Sequence, residues 1–467
     1  MTIVKRLTLV AKLCALAAAS VVMSCSDDKI LEEQAQLEED LATHATAVDC
    51  GCTYTVPSKT YLVDGIALGI KPGAVICLSA ANTYYNIVFR NLKGTATSPI
   101  TIKNCGGTAT LNAAGKGFGL KTELSQHIKI TGGTGSTYGI RVLGGQQGVT
   151  LEKLTTYVEV DHLEVASSGF AGIMAKTEPT CDNATLRGNF VMRNVFLHDN
   201  YIHDTGGEGF YVGHTFYLKG VSLSCGTRLP HILENVKIYN NVIKNSGWEA
   251  IQVGSTPGGA HVYGNKIENF GVKNVTWQKN GVQFGEGAPG KFYNNLINGG
   301  KGIGLFILSN GENTVYNNVI INTAEDGIFC DDRTATGPGF KFINNTIINP
   351  GTNGIRIYSD LVSMNTVYNN IIVNPGKYSS YTYPRTGNDA YVYLLSKTMR
   401  CTMANNHFTR DISSLKFANA AAYNYALTST SPVINKGYNI SAYSIPVDYA
   451  QQPRLKGTAY DIGAYEY

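Results

Sequence analysis

Apolar residues in this chain fall into short alternating runs, and the runs recur. Taking the second residue of each paired polar dipeptide as an anchor gives Asn200, Asn241, Asn265, Asn295, Asn318, Asn345 and Asn370, at steps of 41, 24, 30, 23, 27 and 25 residues. Two residues past the anchors stand Ile202, Ile243, Ile267, Ile297, Ile320, Ile347 and Ile372. Three before them stand Leu197, Ile238, Val262, Phe292, Val315, Phe342 and Val367. Positions between these columns alternate at period two, which predicts short strands rather than helices. Ten residues past the anchor a further strand is expected. Its inward residues are Phe210, Ile251, Leu305, Ile328 and Ile355, followed two positions on by Val212, Val253, Ile307, Cys330 and Ile357. Val282 and Phe284 fill the same columns after an insertion.

No unit of this kind can bury its apolar side chains alone, so the units must stack. Stacking at about 4.8 Å puts every column in register. The expected fold is all-β: a single right-handed parallel β-helix, a solenoid with inserted loops on one face and terminal caps. The pattern resembles the right-handed parallel β-helix proteins of the pectate-lyase-like superfamily. The stretch "PGAVICLSAANTYYNIVFRNLKGTATSPITIKNCGG" resembles that family's opening turns, and "SPVINKG" with "PRLKGTAYDIGAYEY" resembles its closing segment. In "YVEVDHLEVASSGFAGIMA", Leu163 takes the anchor place and Val165 the isoleucine column. The asparagines are expected to form a stacked amide ladder. His198 and His203 are expected to stack in the outward columns of Tyr239, Tyr263, Tyr293, Tyr316 and Tyr368.

Composition changes the picture in one respect. Charged residues are 15% of the chain, with 51 Gly and 28 Tyr, so the surface is rich in amides, hydroxyls and aromatic edges. The net charge of +4 is scattered, leaving no basic stripe for nucleic acid. The N-terminus reads as a processing segment. Lys5 and Arg6 precede an apolar run ending in "VVMSC", which resembles a lipoprotein lipobox with Cys25 acylated. The following "SDDK" resembles the surface-export signal of Bacteroidota lipoproteins. The expectation is a signal peptide over 1–24, a lipidated tether over 25–47 and the β-helix over 48–467, anchored in the outer membrane and exposed at the cell surface. Of ten cysteines, Cys14 lies in the signal, leaving eight beyond Cys25 in an oxidising compartment. Cys50 and Cys52 are expected to tie down the N-terminal end, and Cys77, Cys105 and Cys330 to be core residues or local bridges.

Function is sought where the repeat is interrupted. Insertions at 177–194 and 215–234 follow the same strand of neighbouring coils, and a disulfide between Cys181 and Cys225 would join them into one wall. A third, 271–279, brings Trp277. They flank an outward strip of Tyr211, Gln252, Gln283, Phe306, Phe329 and Arg356, suited with Trp277 to binding sugar rings. Glu208 and Glu249 fall in one column on adjacent coils, about 5 Å apart. That spacing suits the nucleophile and acid/base of a retaining hydrolase. For a lyase, His214, Arg333 or Arg356 would serve as base or clamp, with Asp326, Asp331 and Asp332 as ligands of Ca²⁺. The superfamily resemblance implies carbohydrate-active chemistry on a polysaccharide, without choosing between elimination and hydrolysis, and a monomer is expected. A non-catalytic glycan-binding or adhesive protein is the rival, and a purely structural surface spine the third reading.

Overall fold

A computed structural model describes residues 49–467 apart from 136, 310, 332–336, 359, 377–386 and 396–397. The expected signal peptide and tether, Cys25, Asp332 and Arg333 lie outside the described residues. From Cys50 to Tyr467 the chain forms one compact unit. Among the described residues it holds three parallel sheets of 13, 11 and 12 strands, which the coils from Ile100 to Leu394 visit in that order, the first two coils bypassing the second sheet. Every strand pairs with its equivalent one coil on: Leu197 with Ile238, Ile202 with Ile243, Phe210 with Ile251. The fold is the right-handed parallel β-helix that the columns predict, and the column residues form one continuous buried core.

Local chemistry explains the corners. The first residue of each polar pair, Asp199, Asn240, Gly264, Asn294, Asn317, Asn344 and Asn369, has φ between 53° and 65°. Asn, Asp and Gly tolerate this left-handed turn, which swings the chain from the first sheet into the second. The second residue forms the ladder. Asn241 Oδ1 accepts from both the backbone N–H and Nδ2 of Asn200, each at 3.0 Å. The same pattern runs through Asn265, Asn295, Asn318, Asn345 and Asn370 to Asn406, a rung the repeat analysis omits. Each Nδ2 also donates to a carbonyl of the coil before, as Asn265 does to Ile238 at 2.9 Å. Leu163, in the anchor place, contributes its N–H to Asn200 Oδ1 at 3.0 Å.

His198, Tyr239, Tyr263, Tyr293 and Tyr316 stack along the outside of the first sheet with ring centroids 4.5 to 4.9 Å apart. Two expected members do not join. Ile343 separates Tyr368 from Tyr316, and Tyr368 packs instead on Tyr438. His203 stands in the column of Ala166 and Lys244 and rests on Tyr201. It lies three residues past its anchor, whereas the tyrosines lie two before theirs.

Cys50–Cys105 and Cys52–Cys77 disulfides bind the first coil to its successors, and Cys330 is a buried core residue. The closing segment covers the outer face of the second sheet, with Val433, Ile462 and Ala464 against Ile321, Ile348 and Ile371. Asn344 donates to the carbonyls of Asp461 and Gly463 at 2.8 and 3.0 Å, fastening that segment to the helix.

Candidate functional site

The strip predicted on the third sheet is formed. Tyr211, Gln252, Gln283, Phe306, Phe329 and Arg356 are register partners on successive coils. Their placement begins one corner earlier, at Gly209, Gly281, Gly304, Gly327 and Gly354. A Cβ at Gly304 would stand 2.7 Å from the carbonyl oxygen of Gly327 and 2.8 Å from Ile320 Cγ2. Only a small residue lets the corner close onto the isoleucine column. The residue just before each corner is thereby fixed in a column of its own: Glu208, Glu249, Asn280, Ile303, Asp326 and Asn353.

Insertions lie on both edges of the strip. The two that follow it are joined by the Cys181–Cys225 disulfide, as expected. Arg187 stiffens them, stacking on the Tyr217 ring at 4.0 Å and donating to the Pro230 carbonyl at 3.2 Å. The third insertion, 271–279, stands on the opposite edge. There Thr276, Trp277, Lys279, Asn280, Ile303, Phe306, Glu325, Phe329, Asp331, Arg356 and Tyr358 enclose a cavity of about 430 Å³. The indole of Trp277 is 72% exposed.

The strip is less open than its outward direction suggests. Tyr211, Gln252, Gln283, Phe306 and Phe329 are all buried. Phe306 and Phe329 pack with Ile303 and Leu308 as a second apolar layer outside the sheet, which forms the cavity floor. Gln283 Nε2 donates to Gln252 Oε1 at 3.4 Å. Tyr211 carries Lys176 Nζ 4.1 Å above its ring.

The Glu208 and Glu249 carboxyls are brought into adjacent register but are 2% and 0% exposed. Burial pushes Glu208 up to about 7, against the pull of a backbone hydrogen bond and Lys176. Burial also pushes Glu249 up to about 8, with the neighbouring Glu208 charge adding to it. Oε2 of each has no hydrogen-bond partner. Glu249 Oε1 accepts from Asn280 Nδ2 at 3.2 Å, and Asn280 lines the cavity, so the pair lies one hydrogen bond behind the cavity wall.

His214 is not poised as a base. Its Nδ1 accepts from the Phe216 N–H at 3.1 Å, which leaves Nε2 to carry the proton toward Glu178 Oε2, also at 3.1 Å. Glu178 in turn holds Lys176 at 2.5 Å. Burial would lower the Lys176 pKa, but Tyr211 and Glu178 outweigh it and keep the ammonium protonated. Asp326 is buried against Arg356, 2.7 Å away, and also accepts from the Asn353 N–H at 3.0 Å. Of the three acids expected to hold Ca²⁺, Asp326 is thus committed to an arginine, Asp331 borders the cavity, and Asp332 is outside the described residues. The described part of the strip does not assemble an oxygen cage for a cation. Among the described residues, the groups spaced to share a metal are Cys50, Cys52 and Cys105, which are disulfide-bonded, and Glu159, Asp161 and His198, of which the two acids hold the Lys129 ammonium and the histidine sits against Glu159.

Sequence reading missed Lys176, Glu178, Lys279 and Glu325. All four sit at strand ends or in insertions, where the repeat gives no column to read. The register does carry a signal for one of them, because Glu325 directly precedes the column residue Asp326.

Residues 233–408 match the family described as the right handed beta helix region. No curated protein sequence matches the chain. Among solved structures, the pectate lyase Pel9A aligns at 14% identity and a TM-score of 0.48, covering 90% of this chain and 98% of that one. An alginate lyase from Paenibacillus sp. str. FPU-7 aligns at 18% identity and a TM-score of 0.36, covering 76% and 96%. A PL6 family polysaccharide lyase from Pseudopedobacter saltans aligns at 13% identity and a TM-score of 0.40, covering 86% and 99%.

Proposed function

We propose that the protein is a polysaccharide-cleaving enzyme of the glycoside hydrolase type, held at the cell surface by a lipid on Cys25. The observation that carries the reading is the Glu208–Glu249 pair: two in-register carboxyls with raised pKa values and orphaned oxygens, behind a cavity floored by Phe306, Phe329 and Tyr358. Register on adjacent strands corresponds to about 4.8 Å, close to the separation of about 5 Å used by retaining glycosidases. Glu249, protonated at neutral pH, gives its proton to the glycosidic oxygen as the C–O bond breaks. Glu208, as carboxylate, attacks the anomeric carbon, a step that requires the Asn280 side chain to move off Glu249 and open the buried pair to the cavity. Water then cleaves the glycosyl ester while Glu249 takes back a proton. Elimination is served less well, since both His214 nitrogens are engaged and Lys176 is ion-paired.

A second reading, glycan binding without turnover, is favoured by the burial of the same pair. Glu208→Gln and Glu249→Gln variants separate the two. Under the enzyme reading both lose release of reducing ends while still being retarded in a glycan-containing gel. Wild-type protein that is retarded yet releases no reducing ends from any retarding glycan establishes the binding protein.

A further inference from the structure

Among the described residues, the cations that border the strip and its cavity are each matched by a carboxylate of the protein itself. Lys176 Nζ lies 2.5 Å from Glu178, Lys279 Nζ 3.0 Å from Glu325, and Arg356 Nε 2.7 Å from Asp326. At the cavity the described charges are Lys279 and Arg356 against Glu325, Asp331 and Asp326, two positive and three negative. These pairs are also partly withdrawn from water, with side-chain exposures of 22% for Lys279, 16% for Glu325, 17% for Arg356 and 0% for Asp326.

An acidic sugar polymer brings a carboxylate with every residue. To enter here it must either displace one of the protein's own carboxylates or sit beside an already balanced pair and add an uncompensated charge. Neither route is open to it at low cost. The groups not engaged in ion pairs are of another kind: the exposed Trp277 indole, the Phe306 and Phe329 floor, the Tyr358 ring, and the side-chain amides of Asn280 and Gln283. Aromatic faces and amides match the C–H faces and hydroxyls of an uncharged pyranose.

We propose that the cavity selects neutral glycans and rejects polyuronates, its internal ion pairs serving as the specificity filter. This rests on the reading that the cavity takes a glycan. The filter has an identifiable moving part. Glu325 cancels Lys279, so its removal frees a cation in the wall beside Trp277.

The test is affinity electrophoresis of the purified protein and its Glu325→Gln variant, at low and high salt. The gels carry a neutral glucan, mannan, galactan or xylan, or else polygalacturonate or alginate. The wild type is expected to be retarded by at least one neutral polymer equally at both salt levels, and by neither polyuronate. Glu325→Gln is expected to gain polyuronate affinity at low salt by about tenfold, the order of one partly buried ion pair. Thermal melting of the variant establishes that it is folded, and Lys279→Met placed on top of Glu325→Gln should abolish the gain. Salt-sensitive retardation of the wild type by a polyuronate overturns the selectivity and leaves the glycan reading standing. Retardation by neither class overturns the glycan reading itself, and the selectivity falls with it. A folded Glu325→Gln that gains no polyuronate affinity overturns the filter.

Discussion

Asn280 donates its side-chain amide to Oε1 of Glu249 across 3.2 Å. That bond favours the charged form of Glu249, but burial outweighs it and holds the group at about 8. If Glu249 is the general acid, turnover falls as pH rises through about 8. An Asn280→Leu variant removes the donor, so the alkaline limb of kcat should move to higher pH. A pH–rate profile of the two proteins checks this; an unmoved limb would assign the acid elsewhere.

The same carboxyls set a pH dependence of stability. Their pKa values in the folded protein, about 7 for Glu208 and about 8 for Glu249, lie above the ordinary glutamate value of 4.5. The folded state therefore holds more protons than the unfolded chain between pH 4.5 and about 8. Their contribution is complete below the lower bound and is lost as pH rises through the folded values. Tm should accordingly decline from mildly acidic to mildly alkaline pH. Glu249→Gln, which cannot ionise, should flatten the decline in a series of melts.

Asn295 bonds in both directions along the ladder. Its Oδ1 accepts from the N–H and Nδ2 of Asn265 on one side, and its own N–H and Nδ2 donate to Asn318 Oδ1 on the other. Asn295→Leu strands these groups in the interior and should cost about 3 kcal/mol or more. Asn406→Leu, at the partly exposed last rung, should cost about 1 kcal/mol because water can replace the lost bonds. Urea midpoints of the two variants test the difference.

Trp277 and Phe306 border one cavity from opposite conditions of burial. Trp277→Ala should leave Tm within about a degree of wild type, as an exposed side chain contributes little stability. It should weaken glycan retardation about tenfold, the order of one aromatic stacking contact. Phe306→Ala should weaken both binding and stability, the latter by about 3 kcal/mol. Equal effects of Trp277→Ala on binding and melting would mean that the indole is structural.

Cys181 and Cys225, 44 residues apart in sequence, join two insertions. Closing a span of that length restrains the unfolded chain by about 4 kcal/mol, and in the folded protein the bridge itself ties insertion to insertion, outside the sheet ladders. A Cys181→Ser, Cys225→Ser double variant should be cut by trypsin near Arg187 and Arg228 while the coils stay intact. Cleavage within the coils instead would mean that the bridge supports the β-helix itself.

The coil was legible because its determinants are periodic. The isoleucine column, the ladder from Asn200 to Asn370 and the third-sheet strands all follow from counting residues past an anchor. The insertions were legible as insertions, and two cysteines in neighbouring loops were enough to pair Cys181 with Cys225. What counting could not give is cover. Tyr211 and Phe306 do point outward, but they are buried by side chains from other coils and by loops with no repeat of their own. His203 was placed in the tyrosine stack because the offset of Tyr239 from its anchor has the opposite sign. Asp326 was assigned to a cation because its partner, Arg356, stands 30 residues on in a different column.

The asparagine ladder has a consequence for how such a chain can change. Asn295, Asn318 and Asn345 make the same bonds to the rung on either side, so each coil is interchangeable with the next as far as the backbone is concerned. Excising the 23-residue step 296–318 would bring Asn345 against Asn295 and leave no unmatched amide. It would also drop Ile303 and Phe306 from the cavity floor and place Asp326 next to Asn280. Duplication or loss of whole coils therefore edits the row of groups facing a ligand in discrete steps. The architecture inherits its recognition surface as a tape whose frames can be copied or cut, with the folding of the remaining frames untouched.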